Sequence, residues 1–222
     1  MNMKFKRLTL LCGHYGSGKT NVALNLAYRL KETKENVAIA DLDIVNPYFR
    51  TKDSAQELKE KGIGLICSEY AGTNVDIPAL PQQMYSLVDD LSLSAVLDIG
   101  GDDRGALALG RLSDAIIEEN NYEMILVINK FRPLTPDAES TIEVMKEIEY
   151  AGKIKFTALV NNSNLGIETT AEDVLSSLQY ANEVSKMSGL PILFTSVDEK
   201  LYSELYGKIE NILPLKLQNK IN

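Results

Sequence analysis

The chain has 222 residues, 45% hydrophobic and 24% charged, a balance that predicts one ordinary globular domain over residues 1–222. Its formal net charge of −8 argues against strong nucleic-acid binding, which scales with Lys and Arg contacts to phosphates. Cys12 and Cys67 form no CxxC pair and His14 is the single histidine, so no zinc site, disulfide framework or multi-histidine metal centre is signalled, and a reducing, cytoplasmic setting is expected.

In chain order, short apolar runs alternate with longer amphipathic ones, the pattern of βαβ units around a parallel sheet. Strands are predicted over 8–12, 37–42, 64–67, 95–99, 124–128, 157–160 and 192–195. Helices are predicted over 19–31, 54–61, 81–91, 105–119, 136–150, 170–187 and 200–213. Most strands are continuous Val/Ile/Leu runs, as expected when helices cover both faces of the sheet. The expected architecture is therefore three-layer α/β, with a mostly parallel sheet of about seven strands. Thr135 ahead of Pro136, and Thr169 or Thr170 ahead of Glu172 and Asp173, are helix-start signals; Gly152 and Gly189 fall where C-caps are wanted. The run 8–12 is too short for a signal sequence, and no stretch approaches the ~20 apolar residues of a spanning helix, so no membrane insertion is expected.

Between the first strand and the first helix stands Gly13-His14-Tyr15-Gly16-Ser17-Gly18-Lys19-Thr20, a complete GxxxxGK[ST] in the strand–loop–helix context that motif needs. Glycines let the backbone bend around an anion so that successive N–H groups point inward, and the following helix adds its positive end. Lys19 is expected to reach the β- and γ-phosphates and the Thr20 hydroxyl to ligate Mg²⁺. Residues Gly13 to Thr20, with the adjoining Asn21, form the candidate nucleotide-binding loop. A glycine-rich turn that merely links strand to helix is the plainer alternative.

The second strand ends in Asp41-Leu42-Asp43, followed by Ile44-Val45-Asn46-Pro47, and the fourth apolar run delivers Asp98-Ile99-Gly100-Gly101. With the loop at 13–20, these motifs resemble the CobQ/CobB/MinD/ParA group of P-loop ATPases, the MinD/ParA/Mrp branch above all. The resemblance implies a three-layer P-loop NTPase fold that binds ATP and Mg²⁺. Asp43 would orient the attacking water, and Thr20, Asp43 and Asp98 would support the metal. The Gly101 N–H would meet the γ-phosphate and release it after hydrolysis to ADP and phosphate. It also implies a slow switch read by a protein partner, and allows a homodimer. One departure stands out. Many relatives carry a signature lysine after the first glycine, where this chain has His14, which is not a fixed cation at neutral pH. Arg50 and Arg104 are alternative charge stabilisers, although solvated loop arginines are the plainer reading of both.

Two segments compete to read the base. Asn129-Lys130-Phe131-Arg132 suggests the NKxD of GTPases, but Arg132 stands where an acceptor for guanine N1 and N2 is needed. The resemblance points instead to Asn161-Asn162-Ser163, with Asn162 ahead of Asn161, and to Asp198 near the base or ribose. ATP is favoured over GTP. The residues 68–83, Asp102 and Asp103 are candidates for contacting a partner or small-molecule substrate. A C-terminal CxxC for an iron–sulfur cluster is absent, and Pro214 interrupts the terminal amphipathic segment, which reads as a packed helix. Two alternatives to the switch ATPase remain: an ATP-dependent phosphoryl transferase or ligase, resembling dethiobiotin synthetase or cobyrinic acid amidase, and a sensor that binds nucleotide without hydrolysing it.

Overall fold

Strand β1 (Leu8–Cys12) is buried at every residue, which places it at the centre of a sheet covered on both sides. The computed structural model describes residues 5–42, 54–67, 82–101 and 103–217. After β1 come α1 (Lys19–Lys31), β2 (Val37–Leu42), α2 (Ala55–Glu60), β3 (Gly64–Cys67), α3 (Gln82–Asp89) and β4 (Ser94–Ile99). The second half runs through α4 (Asp103–Leu109), α5 (Ser113–Glu119), β5 (Tyr122–Ile128), α6 (Ala138–Gly152), β6 (Ala158–Asn161), α7 (Ala171–Ser188), β7 (Ile192–Asp198), α8 (Tyr202–Leu205) and β8 (Ile212–Leu215).

The strands form an eight-stranded sheet in the order β3-β2-β4-β1-β5-β6-β7-β8, and every pairing is parallel. Side chains alternate between the faces with period two. In β1, Leu8, Leu10 and Cys12 join a core with Leu109, Ile142 and Val184 of α4, α6 and α7. Leu11 points to the other core, with Val22, Leu26 and Leu30 of α1 and Leu58 of α2. This is a three-layer α/β fold. No helix among the described residues is long and apolar enough to cross a membrane.

Three details differ from the sequence expectation. The sheet has eight strands rather than about seven, because the helix expected over 200–213 ends early. Gly207 takes φ +82°, which an L side chain resists, and Leu213 and Leu215 then continue in β8 against β7. Pro214 fits there because β8 is an edge strand with one partner. The helix expected over 105–119 divides into α4 and α5 at Gly110, where an added Cβ would lie 3.2 Å from Ala151 O of α6. Finally, α6 is capped by Asp137, whose Oδ1 accepts from Ser140 N at 2.9 Å. Thr135 donates instead to Asn129 O, and Lys153, not Gly152, takes the left-handed C-cap. Gly152 is held by packing, its added Cβ meeting Leu109 Cδ2 at 3.3 Å. Thr170 caps α7 in a reciprocal capping box with Asp173, and Gly189 closes it at φ +73°, as the sequence suggests.

Candidate functional site

Among the described residues, those singled out in the sequence for the phosphates, metal and base gather at the carboxyl ends of β1, β4, β6 and β7, the edge where parallel sheets receive ligands. The loop after β1 turns through a bond from Ser17 N to His14 O at 3.1 Å and enters α1 at Gly18, its N-cap, with φ +86°. Only glycine fits that position: an added Cβ would also lie 2.2 Å from Asn162 Nδ2. The N-cap glycine gives α1 no side-chain cap, and no acid stands in its first turn. The positive dipole end of α1 at this loop favours an anion there. The buried Lys19 folds back so that Nζ donates to Gly13 O at 2.9 Å and His14 O at 3.3 Å. Two of three ammonium protons are thereby used to fix the cation beside the loop, with the third left for a ligand oxygen. Ser17 Oγ is buried with no hydrogen-bond partner among the described residues, an orphan a phosphate oxygen would satisfy. Tyr15 is exposed, Asn21 accepts from Asn25 Nδ2 through its carbonyl, and His14 Nδ1 lies 3.1 Å from Tyr15 O.

Beneath the loop, Thr20 Oγ1 donates to Asp98 Oδ2 at 2.6 Å, with both residues buried. β4 lies between β1 and β2, and Asp98 is in register with Leu11 on one side and Asp41 on the other. A hydroxyl and a carboxylate in contact are hard oxygen donors suited to a divalent ion that keeps most of its waters. Among the described residues no group of three or more His, Cys, Asp or Glu side chains is arranged to hold a metal by itself. Gly101 lies directly on the phosphate loop, where an added Cβ would stand 2.1 Å from Gly13 O. Asp43, Arg50, the segment 68–81 and Asp102 lie outside the described residues, as do the side chains of Asp103 and Arg104.

On the other flank, Asn162 bridges three elements. Its Nδ2 donates to Ser17 O at 2.6 Å, and its Oδ1 accepts from Ser196 Oγ of β7 at 2.7 Å. Asn161 is fully buried, donating to Ser177 Oγ and accepting from Ser163 N and Oγ. Asp198 ends β7 and accepts from Lys200 N at 3.1 Å. Of the NKxD-like segment, Asn129 ties the turns after β5 and β6 together through Phe131 N, Asn164 N and Asn164 O, and Lys130 Nζ reaches Ser176 O on α7. Arg132, which the sequence marked only as a mismatch to guanine, lies against Gly16 of the phosphate loop. Ser196 stands in the motif Ser196-Val197-Asp198 that the sequence marked only through Asp198; it lies within β7, and its bond to Asn162 is the part sequence reasoning missed.

Residues 11–188 match the model of the CobQ/CobB/MinD/ParA nucleotide binding domain. A comparison with curated proteins returns no match. Among solved structures the chain is similar to the signal recognition particle receptor FtsY from Elizabethkingia anophelis in complex with GDP (16% identity, TM-score 0.54, 99% of this chain and 63% of that one). It is also similar to chloroplast FtsY from Physcomitrella patens (19%, TM-score 0.60, 90% and 60%). A third is the 54 kDa signal recognition particle protein from Aeropyrum pernix in complex with GDP (18%, TM-score 0.55, 88% and 42%). The chain spans less than two thirds of each of these proteins, and at such identities the likeness is one of fold. The phosphate loop, the Thr20–Asp98 contact and Gly101 all fall inside the matched region, and the chain belongs to the CobQ/CobB/MinD/ParA nucleotide-binding domain family.

Proposed function

We propose that this chain is a switch ATPase: it binds Mg·ATP, hydrolyses it slowly to ADP and phosphate, and presents a partner with surfaces that depend on the nucleotide. The observation that carries this reading is the conjunction at one sheet edge of a helix N-terminus entered through a left-handed glycine with no acid in its first turn, a buried lysine anchored on the loop, and Gly101 resting on that loop. Lys19 and the loop N–H groups neutralise charge that develops on the terminal phosphate. Thr20 and Asp98 would hold the magnesium ion, which would supply charge neutralisation to the phosphates. Asp43 orients the attacking water. Gly101 reports the loss of the γ-phosphate, because its backbone reaches the loop with no side chain between.

For the base, Arg132 stands in the segment Asn129-Lys130-Phe131-Arg132 where an acceptor for guanine N1 and N2 is needed, which favours adenine. GTP is the second reading, since two of the similar structures are complexes with GDP. Calorimetry with Mg·ATP and Mg·GTP separates the two. Lys19→Ala should abolish tight binding of the preferred nucleotide, and Asp43→Ala should keep binding while losing phosphate release. Binding by Lys19→Ala equal to the parent would remove the basis of the assignment. Phosphate release that depends on an added carboxylic metabolite would favour the transferase instead.

A further inference from the structure

Arg132 closes the turn that follows β5, its N–H donating to Asn129 O at 3.2 Å and its carbonyl accepting from Thr135 N at 3.1 Å. β5 pairs with β1, with Cys12 opposite Leu126, so this turn lies beside the phosphate loop. The guanidinium, rather than the aliphatic stem, makes the closest approach. The position a Cβ would take at Gly16 lies 3.2 Å from Arg132 Nε and 3.3 Å from Cζ. Nε is buried with no hydrogen-bond partner among the described residues, and no ion pair there includes Arg132. Its neighbours are otherwise engaged: Lys19 on Gly13 O and His14 O, Lys130 on Ser176 O.

A buried guanidinium proton without an acceptor is costly. Seating that cation beside the positive dipole end of α1 and the buried Lys19 adds like-signed potential to the same place. Both penalties turn into stabilisation when a polyanion occupies the cradle. We propose that Arg132 is a phosphate-binding residue of this site, its guanidinium donating to oxygens of the bound polyphosphate from the Gly16 side of the loop. The proposal rests on the nucleotide-binding reading above. It places a permanent cation within the same chain, at a loop where His14 stands in the position of a signature lysine. It also explains why Gly16 has no side chain: φ is +77°, and a methyl group would press on the guanidinium.

The test compares the full chain with Arg132→Gln, Arg132→Lys and Lys19→Ala, titrating ATP, GTP and ADP calorimetrically in Mg²⁺ and recording melting without nucleotide. Loss of charge-assisted hydrogen bonds should weaken triphosphate binding by Arg132→Gln about tenfold to a hundredfold. Arg132→Lys should recover most of that loss, and neither variant should melt below the parent without ligand. Undiminished binding by Arg132→Gln, alongside loss in Lys19→Ala, overturns the role of Arg132 and leaves the nucleotide reading intact. Equal loss in Arg132→Gln and Arg132→Lys with lowered ligand-free melting assigns Arg132 to packing, and also overturns it. A parent protein that takes up none of the three nucleotides overturns both.

Discussion

A methyl group on Gly101 would stand 2.1 Å from Gly13 O and 2.9 Å from the His14 carbonyl carbon, so Gly101→Ala forces backbone away from backbone. No flexible side chain can yield there, and overpacking of this kind costs about 1–3 kcal/mol. The larger effect is expected on function. Gly101→Ala should hold the segment after β4 off the phosphate loop, lowering triphosphate affinity more than diphosphate affinity in calorimetry. Gly166→Ala is the control: its φ of +71° brings strain of about 1 kcal/mol, but an added Cβ meets nothing within 4 Å. That variant should melt earlier and bind nucleotide normally. The motif Asp98-Ile99-Gly100-Gly101 marks one of these glycines in the sequence, and the pairing of β4 with β1 brings it onto the loop. Arg132 was hidden because its contact with the loop is long-range and no motif marks it. Its spacing says only that guanine's acceptor is missing, while its neighbour Gly16 is more than a hundred positions away and meets it through the β1–β5 pairing. Lys19, Thr20 and Asp98 were legible because the phosphate motif and the apolar run fix chemistry and local geometry together.

Helix ends show where local signals suffice and where they mislead. Thr170 and Asp173 sit three apart ahead of an amphipathic run, and they form the capping box that spacing promises. At α6, Pro136 drew the start too early, since Asp137 supplies the carboxylate and Thr135 is spent on Asn129 O. Both carboxyls titrate below the ordinary range, Asp137 because Ser140 N donates to it and Asp173 chiefly because the Thr170 hydroxyl does. A lowered folded value means the unfolded chain binds protons more readily, so this stabilisation is present above about pH 4 and fades as the pH falls through the lowered values. Asp137→Asn keeps a capping oxygen without the titration, and its stability should fall less steeply than the parent's in acid melts. Tyr180 joins α6 to α7 through Thr141 Oγ1 at 2.7 Å, and burial pushes its phenol up to about 12. Here the sign reverses: the contribution is intact below about pH 10 and is lost as the pH rises toward 12. Tyr180→Phe should cost about 1 kcal/mol at neutral pH and flatten the alkaline limb of the stability curve.

At the scale of the whole molecule, the eighth strand decides whether the nucleotide edge is held from both sides. Sequence reading favoured a terminal helix because Leu205, Ile209, Ile212 and Leu213 recur at helical spacing, and that periodicity cannot see Gly207 turning the chain. In the fold, Leu213 and Leu215 are fully buried in the same core as Val22 and Leu26 of α1. Asn25 reinforces the link, its Oδ1 accepting from Lys216 N at 2.9 Å and its Nδ2 donating to Lys216 O at 3.0 Å. The helix whose N-terminus is proposed to receive phosphate is thus fastened at its middle to the far edge of the sheet. Burying each leucine is worth about 1.5–3 kcal/mol, against a total stability of about 5–15 kcal/mol for a domain. Ending the chain after Asn211 removes both leucines and exposes the edge of β7. That truncated chain should fail to melt cooperatively and should bind no nucleotide. Asn25→Ala asks the finer question. It leaves the apolar contacts in place and removes three hydrogen bonds, two to Lys216 and one to Asn21 O, so it should lower stability by about 1–3 kcal/mol while triphosphate affinity stays within a few-fold of the parent. A loss of affinity that exceeds the loss of stability would instead mean that β8 sets the orientation of α1 toward its phosphate, and that the sheet edge controls the site.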